Sequence, residues 1–242
     1  MANIYTTFSN AIKNNQLIAL ATIIAGPGIG NKLLIQPDGM IMGTLGNANI
    51  DAQVRGRAAE LLGAQRTERF SLTTEGEPVE VFIEVHAPPP RLIIVGAVHI
   101  AIALVTFGKA LNLQTIVLDA RSAFATPDRF SHADQLLIGW PADTLAEIGL
   151  DAGTFLVVLT HDEKIDNPVL ALALRSPARY IGALGSKKTH ARRVEALQAE
   201  GINDEQLARL YAPIGLNIGA RRPEEIAVSI MAQIVAVANG VG

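Results

Sequence analysis

LIIVGAVHIA, residues 92–101, sets four consecutive apolar residues against a glycine and then begins a run with helical spacing. An apolar run bounded in this way reads as a buried strand at 92–95, and the residues after the turn read as a helix over 99–111. The turn aligns with the dinucleotide fingerprint G-x-G-x-x-G/A, with Gly96 and Ala101 at its first and third positions. Asp119 closes the next apolar run, where that pattern expects a ribose-binding carboxylate. The middle glycine is replaced by Val98, whose branched side chain stands where a pyrophosphate needs close approach of the backbone. The frame is that of a doubly wound α/β sheet, and the fingerprint is incomplete.

Outward from this turn, apolar runs at 115–118, 135–138, 155–159 and 180–184 alternate with helical patterns at 144–148, 168–174, 187–199 and 223–238. Strands apolar throughout and separated by helices predict a parallel sheet covered on both faces, Rossmann-like in architecture. The last helix opens with Pro223, Glu224 and Glu225, which suit a positive helix N-terminus, although Arg222 is a poor cap. Upstream, 17–25 reads as a strand, and 32–35 and 40–44 flank the hairpin signal Pro37-Asp38-Gly39. Residues 52–65 carry Val54, Ala58, Leu61 and Leu62 at helical spacing, and 79–85 alternates as a strand. Pro88-Pro89-Pro90 has no backbone N–H to give a sheet and favours an extended linker. The expected organisation is a small α+β domain over 1–87, a linker at 88–90 and a Rossmann-like domain over 91–242.

Of the 242 residues, 49% are hydrophobic, 5% aromatic and 18% charged, which excludes disorder, collagen and coiled coil. Twenty Lys+Arg against 23 Asp+Glu leave a net charge of −3, a balance that disfavours nucleic acid as a partner. There is no cysteine. That excludes disulfides, zinc ribbons, iron–sulfur ligation and a thiolate nucleophile, and suits a reducing compartment. MANIYTTFSNAIKNN lacks a charged segment followed by an apolar one, so no secretory signal is read and a cytoplasmic location is expected. Residues 92–111 are apolar enough to suggest a membrane span, but Gly96, His99 and Lys109 interrupt them and the strand, turn and helix use every residue. No membrane partner is expected.

Thr160-His161-Asp162 closes the strand at 155–159, with Asp166 shortly beyond. At the carboxyl end of a parallel sheet these groups face the ligand crevice and the fingerprint turn. An imidazole flanked by carboxylates suits a general base, a metal ligand or a hydrogen-bonding clamp. Asp162 or Asp166 also suits the cap of a helix entered near Pro168. His161 is the single candidate for metal ligation, and no catalytic residue is assigned. YIGALGSKKT, residues 180–189, runs strand, glycine turn and helix start. Gly182 and Gly185 allow unusual φ, Ser186 can cap, and Lys187 with the exposed N–H groups makes an anion site; an ordinary turn with solvated lysines is the alternative. PIGLNIGARRP, residues 213–223, offers a second anion-binding helix start. In the first domain GTLGNANID, residues 43–51, offers Asn47, Asn49 and Asp51 as helix caps. His86, His132 and His190 have no partners at ligand spacing and read as surface or packing residues.

Taken together, VGAVHIA (95–101), LDAR (118–121), THD (160–162) with Asp166, YIGALGSKKT (180–189) and PIGLNIGARRPEEIAVSI (213–230) resemble the XdhC/CoxI family. These are accessory proteins in the maturation of xanthine dehydrogenase and related molybdenum hydroxylases. GTLGNANID looks like a degraded copy of the family's G-G-G-C-V-E box. The resemblance implies a non-catalytic factor that binds molybdenum cofactor, shields it during sulfuration and hands it to a molybdenum hydroxylase apoenzyme. A cysteine desulfurase is the second partner it implies. The implied ligand contacts are Gly96, Val98, His99, Asp119, Arg121, Thr160, His161, Asp162, Gly182, Gly185, Ser186 and Lys187, joined by Asn47, Asn49 and Asp51 from the first domain. The pterin phosphate would sit on the Ser186-Lys187 helix start, with His99 and His161 near the molybdenum, in a crevice between the domains.

The chain also departs from the family pattern. Val98 stands where the family has glycine, Asn47 and Ala48 where it has two more, Asn49 where many members carry cysteine, and Arg222 where threonine is common. Without the thiol the chain cannot hold molybdenum through sulfur. Two other readings stay open. One is an NAD(P)-dependent oxidoreductase with Asp119 on the ribose, and the other is a ligand-free scaffold that has lost cofactor binding. A homodimer is expected, because the closing helix carries Ile226, Ile230 and Ile234 on one stripe with Val228, Met231 and Val235 spread around it.

Overall fold

A computed structural model describes residues 3–74 and 76–241, and the chain divides into two units, Met1–Pro88 and Pro89–Gly242. The first unit runs α1 (Ile4–Lys13), β1 (Ile18–Ala25), β2 (Lys32–Ile35), β3 (Ile41–Thr44), α2 (Ala48–Ala64), β4 (Glu68–Thr74) and β5 (Glu77–His86). Its five strands form an antiparallel sheet in the order β3-β2-β1-β5-β4. Strand alternation sends Ala19, Ala21, Ile23, Leu33, Val81 and Ile83 to one face, where Val54, Ala58 and Leu61 of α2 cover them. The opposite face presents Ile18, Leu20 and Leu34 to Ala11, Ile4 and Phe8 of α1.

Two elements of this unit were not read from the sequence. In α1 the signal was Ile4, Phe8 and Ala11 at helical spacing behind the Asn3 cap, whose side chain accepts from the Tyr5 N–H at 3.1 Å. In β4 it was the half-buried Phe70 and Leu72 alternating with exposed Arg69 and Ser71 at a sheet edge. Helix α2 also begins at Ala48 rather than at 52, because Asn47 caps it: its side chain accepts from the Asn49 N–H at 2.8 Å.

The second unit alternates β6 (Arg91–Val95), α3 (His99–Ala110), β7 (Gln114–Asp119), α4 (Pro127–Phe130), β8 (Gln135–Ile138), α5 (Pro141–Ile148), β9 (Thr154–Val158) and α6 (Glu163–Arg175). It continues with β10 (Tyr180–Ala183), α7 (Lys187–Ala199), α8 (Asp204–Leu207), β11 (Leu210–Tyr211) and α9 (Pro223–Ala238). All pairings are parallel, in the order β11-β10-β9-β6-β7-β8. Counted from β6 this is the 3-2-1-4-5-6 order of dinucleotide-binding folds, with the strand order reversing between β6 and β9. One face is covered by α3 and α9 through Leu104, Val105, Ile230 and Ile234. The other is covered by α5, α6 and α7 through Leu145, Val169, Leu174 and Leu197. The doubly wound α/β sheet expected from LIIVGAVHIA is therefore present, beside a small α+β unit.

The apolar stretch 92–111 resolves into β6, its turn and α3, and no helix among the described residues is long and apolar enough to cross a membrane. Helix α6 starts at Glu163, five residues before the expected entry, with Pro168 inside it. Asp162 makes this possible by accepting from the Lys164 N–H at 2.9 Å.

Candidate functional site

The carboxyl ends of β7, β6, β9 and β10 lie side by side, with Leu118 beside Val95, Val95 beside Val158, and Val158 beside Ala183. In open parallel sheets the ligand crevice lies at this end, where the strand order reverses. Three turns from the sequence reading leave the sheet here: Gly96-Ala97-Val98, Thr160-His161-Asp162 and Leu184-Gly185-Ser186.

The first turn is held from both sides. The Gly96 N–H donates to the Leu118 carbonyl and the Leu159 N–H to the Val95 carbonyl, each at 2.8 Å. Gly96 adopts φ +109°, and a Cβ there would stand 3.0 Å from Thr160 Cγ2 and 3.2 Å from Thr160 N. Only glycine fits the conformation and the space. Val98 enters α3 with no side-chain cap and packs, half-buried, against the core; His99 follows it, exposed.

Asp119 is 1% exposed and makes four hydrogen bonds. Oδ2 accepts from the Ala97 N–H and Arg121 Nη2 at 2.8 Å, and Oδ1 from the Arg121 N–H and Nε at 2.9 Å. Burial pushes this carboxyl up, but the Arg121 side chain and the N–H groups of Ala97 and Arg121 outweigh it and hold it below its ordinary value. A carboxylate offers about four lone-pair sites, and here all are taken. The ribose contact considered for Asp119 is corrected accordingly: the residue ties the fingerprint turn to the next strand. Arg121, anchored by Asp119, lies over the Phe124 ring at 4.5 Å.

At the second turn Asp162 is the α6 cap and His161 is exposed. Asp166 is neither cap nor exposed group, which corrects the capping reading. It is 1% exposed, accepts from the Thr160 hydroxyl, and pairs with Arg193 Nη2 at 3.0 Å. Burial pushes its carboxyl above the ordinary value against the pull of Thr160 and Arg193. The sequence reading missed Arg193, whose signal is its four-residue spacing from the buried Leu197 on α7.

At the third turn Gly182 lies within β10 without left-handed backbone, so the unusual φ expected of it is corrected. Its Cβ would meet Ile214 Cδ1 at 2.5 Å, and packing is the reason for glycine. Gly185 does take a positive φ, +154°. Ser186 caps α7 by accepting from the Thr189 N–H at 3.1 Å, and Lys187 follows it, exposed. The second helix start expected to bind anions is already filled. Glu225 Oε2 accepts from the N–H groups of Arg221 and Arg222 at 2.9 and 3.1 Å.

In the first unit Asp51 is a brace rather than a cap: it accepts from the Leu45 N–H and the Thr44 hydroxyl, each at 2.7 Å. Asn49 contributes its backbone N–H to the Asn47 cap. Among the described residues no three His, Asp or Glu side chains gather as a metal site. His132 stacks on Phe130 and sets its Nε2 3.1 Å from the Ile102 carbonyl.

A doubly wound domain with three ligand-facing turns at its switch point, beside a small α+β unit, defines a class of two-part accessory proteins. The chain belongs to the XdhC and CoxI family: residues 92–234 match the XdhC Rossmann domain and residues 11–72 match the XdhC and CoxI family model. The uncharacterized protein YqeB of Escherichia coli (strain K12) is 27% identical over 98% of this chain and 46% of its own length. A protein of Bacillus subtilis (strain 168) named as a probable xanthine dehydrogenase component is 34% identical over 73% of this chain and 52% of its own. The molybdenum cofactor insertion chaperone PaoD of E. coli (strain K12) is 32% identical over 56% of this chain and 40% of its own. The chain thus spans about half the length of the curated relatives it matches. The crystal structure of a xanthine dehydrogenase from Bacillus halodurans shares the fold, with a TM-score of 0.57 at 23% identity, covering 98% of this chain and 96% of that one.

Proposed function

We propose that the protein is a non-catalytic maturation factor that binds molybdenum cofactor and delivers it to a molybdenum hydroxylase of the xanthine dehydrogenase type. The observation that carries this reading is the gathering of the Gly96, Thr160 and Gly185 turns at the carboxyl ends of adjacent parallel strands, in a chain of this family. In this reading the pterin phosphate rests on the N–H groups after Ser186, beside Lys187, where the helix dipole favours an anion. His99 and His161, both exposed at the same sheet end, face the molybdenum end of the ligand. Gly96, Val98, Arg121, Thr160 and Asp162 line the wall, with Asp119 and Gly182 behind it.

The relatives named for xanthine dehydrogenase and for cofactor insertion support a client of that class, and a cysteine desulfurase is the second partner proposed. The working form is a homodimer paired through α9. Reconstitution tests the delivery step. Apo-hydroxylase mixed with molybdenum cofactor and this protein should recover activity faster than with cofactor and albumin. Equal recovery would overturn delivery.

A further inference from the structure

The turn that enters α7 covers a charge whose hydrogen-bonding capacity is half used. Arg193 is 3% exposed; its Nη2 donates to Asp166 Oδ2 at 3.0 Å and to the Leu184 carbonyl at 3.2 Å. Its Nη1 is also buried and has no hydrogen-bond partner among the described residues. Leaving a buried charged donor unpaired is costly, so such an atom points to an acceptor supplied from outside the chain. Gly185 lies directly over it: a Cβ at that position would stand 3.6 Å from Nη1 and 3.3 Å from Thr189 Cβ. A glycine at this place keeps the space beside the guanidinium open.

The same turn opens a 13-residue helix. The Ser186 cap takes the Thr189 N–H, which leaves the N–H groups of Lys187 and Lys188 at the positive end of the helix dipole. A forked guanidinium arm and two converging amides suit an acceptor with several oxygens around one centre, the shape of a phosphate. We propose that Arg193 is the buried charge of an oxyanion site at Gly185–Lys188 that takes a phosphate or phosphomonoester group. Asp166 positions it, and the Thr160 hydroxyl donating to Asp166 joins this site to the wall of the Gly96 turn. The inference rests on the proposed ligand role of the Gly185 turn and adds the residue that charges it.

Titration of the full-length chain with inorganic phosphate at constant ionic strength, followed by amide NMR, tests it. Saturable shifts are expected at Gly185–Thr189 and at the Arg193 side chain. Arg193→Lys keeps a cation for Asp166 but loses the second arm, and Gly185→Ala fills the gap without touching the ion pair. Each should weaken phosphate binding about ten-fold or more, the scale of one charge-assisted hydrogen bond. Absence of saturable shifts in the wild type, or wild-type affinity in both variants, would overturn the proposal. Phosphate binding without retention of molybdenum cofactor would leave this site standing and overturn the proposed function. Equal cofactor retention by wild type and Arg193→Lys would overturn this inference alone.

Discussion

The Ala97 N–H donates to Asp119 Oδ2 at 2.8 Å, so the carboxylate at the end of β7 holds the glycine turn at the end of β6. Arg121 takes the remaining lone pairs of the same carboxylate. A ribose hydroxyl approaching Asp119 would have to displace a buried, charge-assisted bond. Calorimetry with NADH should therefore give no binding heat for the wild type or for Val98→Gly, which restores the missing fingerprint glycine. Heat from either protein would reinstate the oxidoreductase reading.

Two carboxylates set the acid limit of the second unit. Asp119 is held below its ordinary value by Arg121 and the N–H groups around it, and Asp134 is held at about 2, first by the Thr115 N–H against burial, then by Lys109 and the Thr115 hydroxyl. A carboxylate with a depressed folded pKa adds stability that is complete above its unfolded value and is lost as pH falls through the folded one. Melting temperature should fall from about pH 4 toward pH 2, around the ordinary carboxylate value. Asp134→Asn should flatten the lower part of that limb. An unchanged slope in this variant would remove Asp134 from the explanation.

Gly96→Ala combines a strained φ with a Cβ 3.0 Å from Thr160 Cγ2. The expected loss is about 1–3 kcal/mol of stability, the range for backbone strain at such positions. Urea unfolding measures it, and a midpoint equal to the wild type would show that the turn has room for a side chain.

LIIVGAVHIA made the second unit legible because buried parallel strands are apolar at every position and glycine marks the turn that follows. The site was legible where it depended on local chemistry, as in the Ser186 cap and the Gly96 turn. It was obscure where tertiary contact decides. Asp166 reads as a cap beside Pro168, yet the helix begins earlier at the Asp162 cap and carries Asp166 inward to Arg193. Arg192 and Arg193 are adjacent and chemically alike, and only the helical phase set by Leu197 turns Arg193 inward. Asp119 was placed at the right strand end and given the wrong partner, because spacing does not reveal that Arg121 folds back onto it.

The closing helix keeps apolar surface outside the core. Val228 and Val235 are 45% and 40% exposed, and with Phe107, Ala110, Leu111, Met231 and Ala232 they line an apolar groove of about 430 Å³ on α3 and α9. Light scattering across a concentration series should give twice the 25.7 kDa chain mass, and Val228→Glu should halve it. A constant single-chain mass for the wild type would show that this surface is left uncovered.

Cofactor retention is the most direct test of the proposed role. Purified molybdenum cofactor is mixed with the protein, passed through a desalting column, and the retained molybdenum and pterin are measured by metal analysis and absorbance. The expected result is co-elution of pterin and molybdenum in near-equal amounts with the protein, reduced by Gly96→Ala. Retention no greater than that of an unrelated Rossmann-fold protein would contradict it.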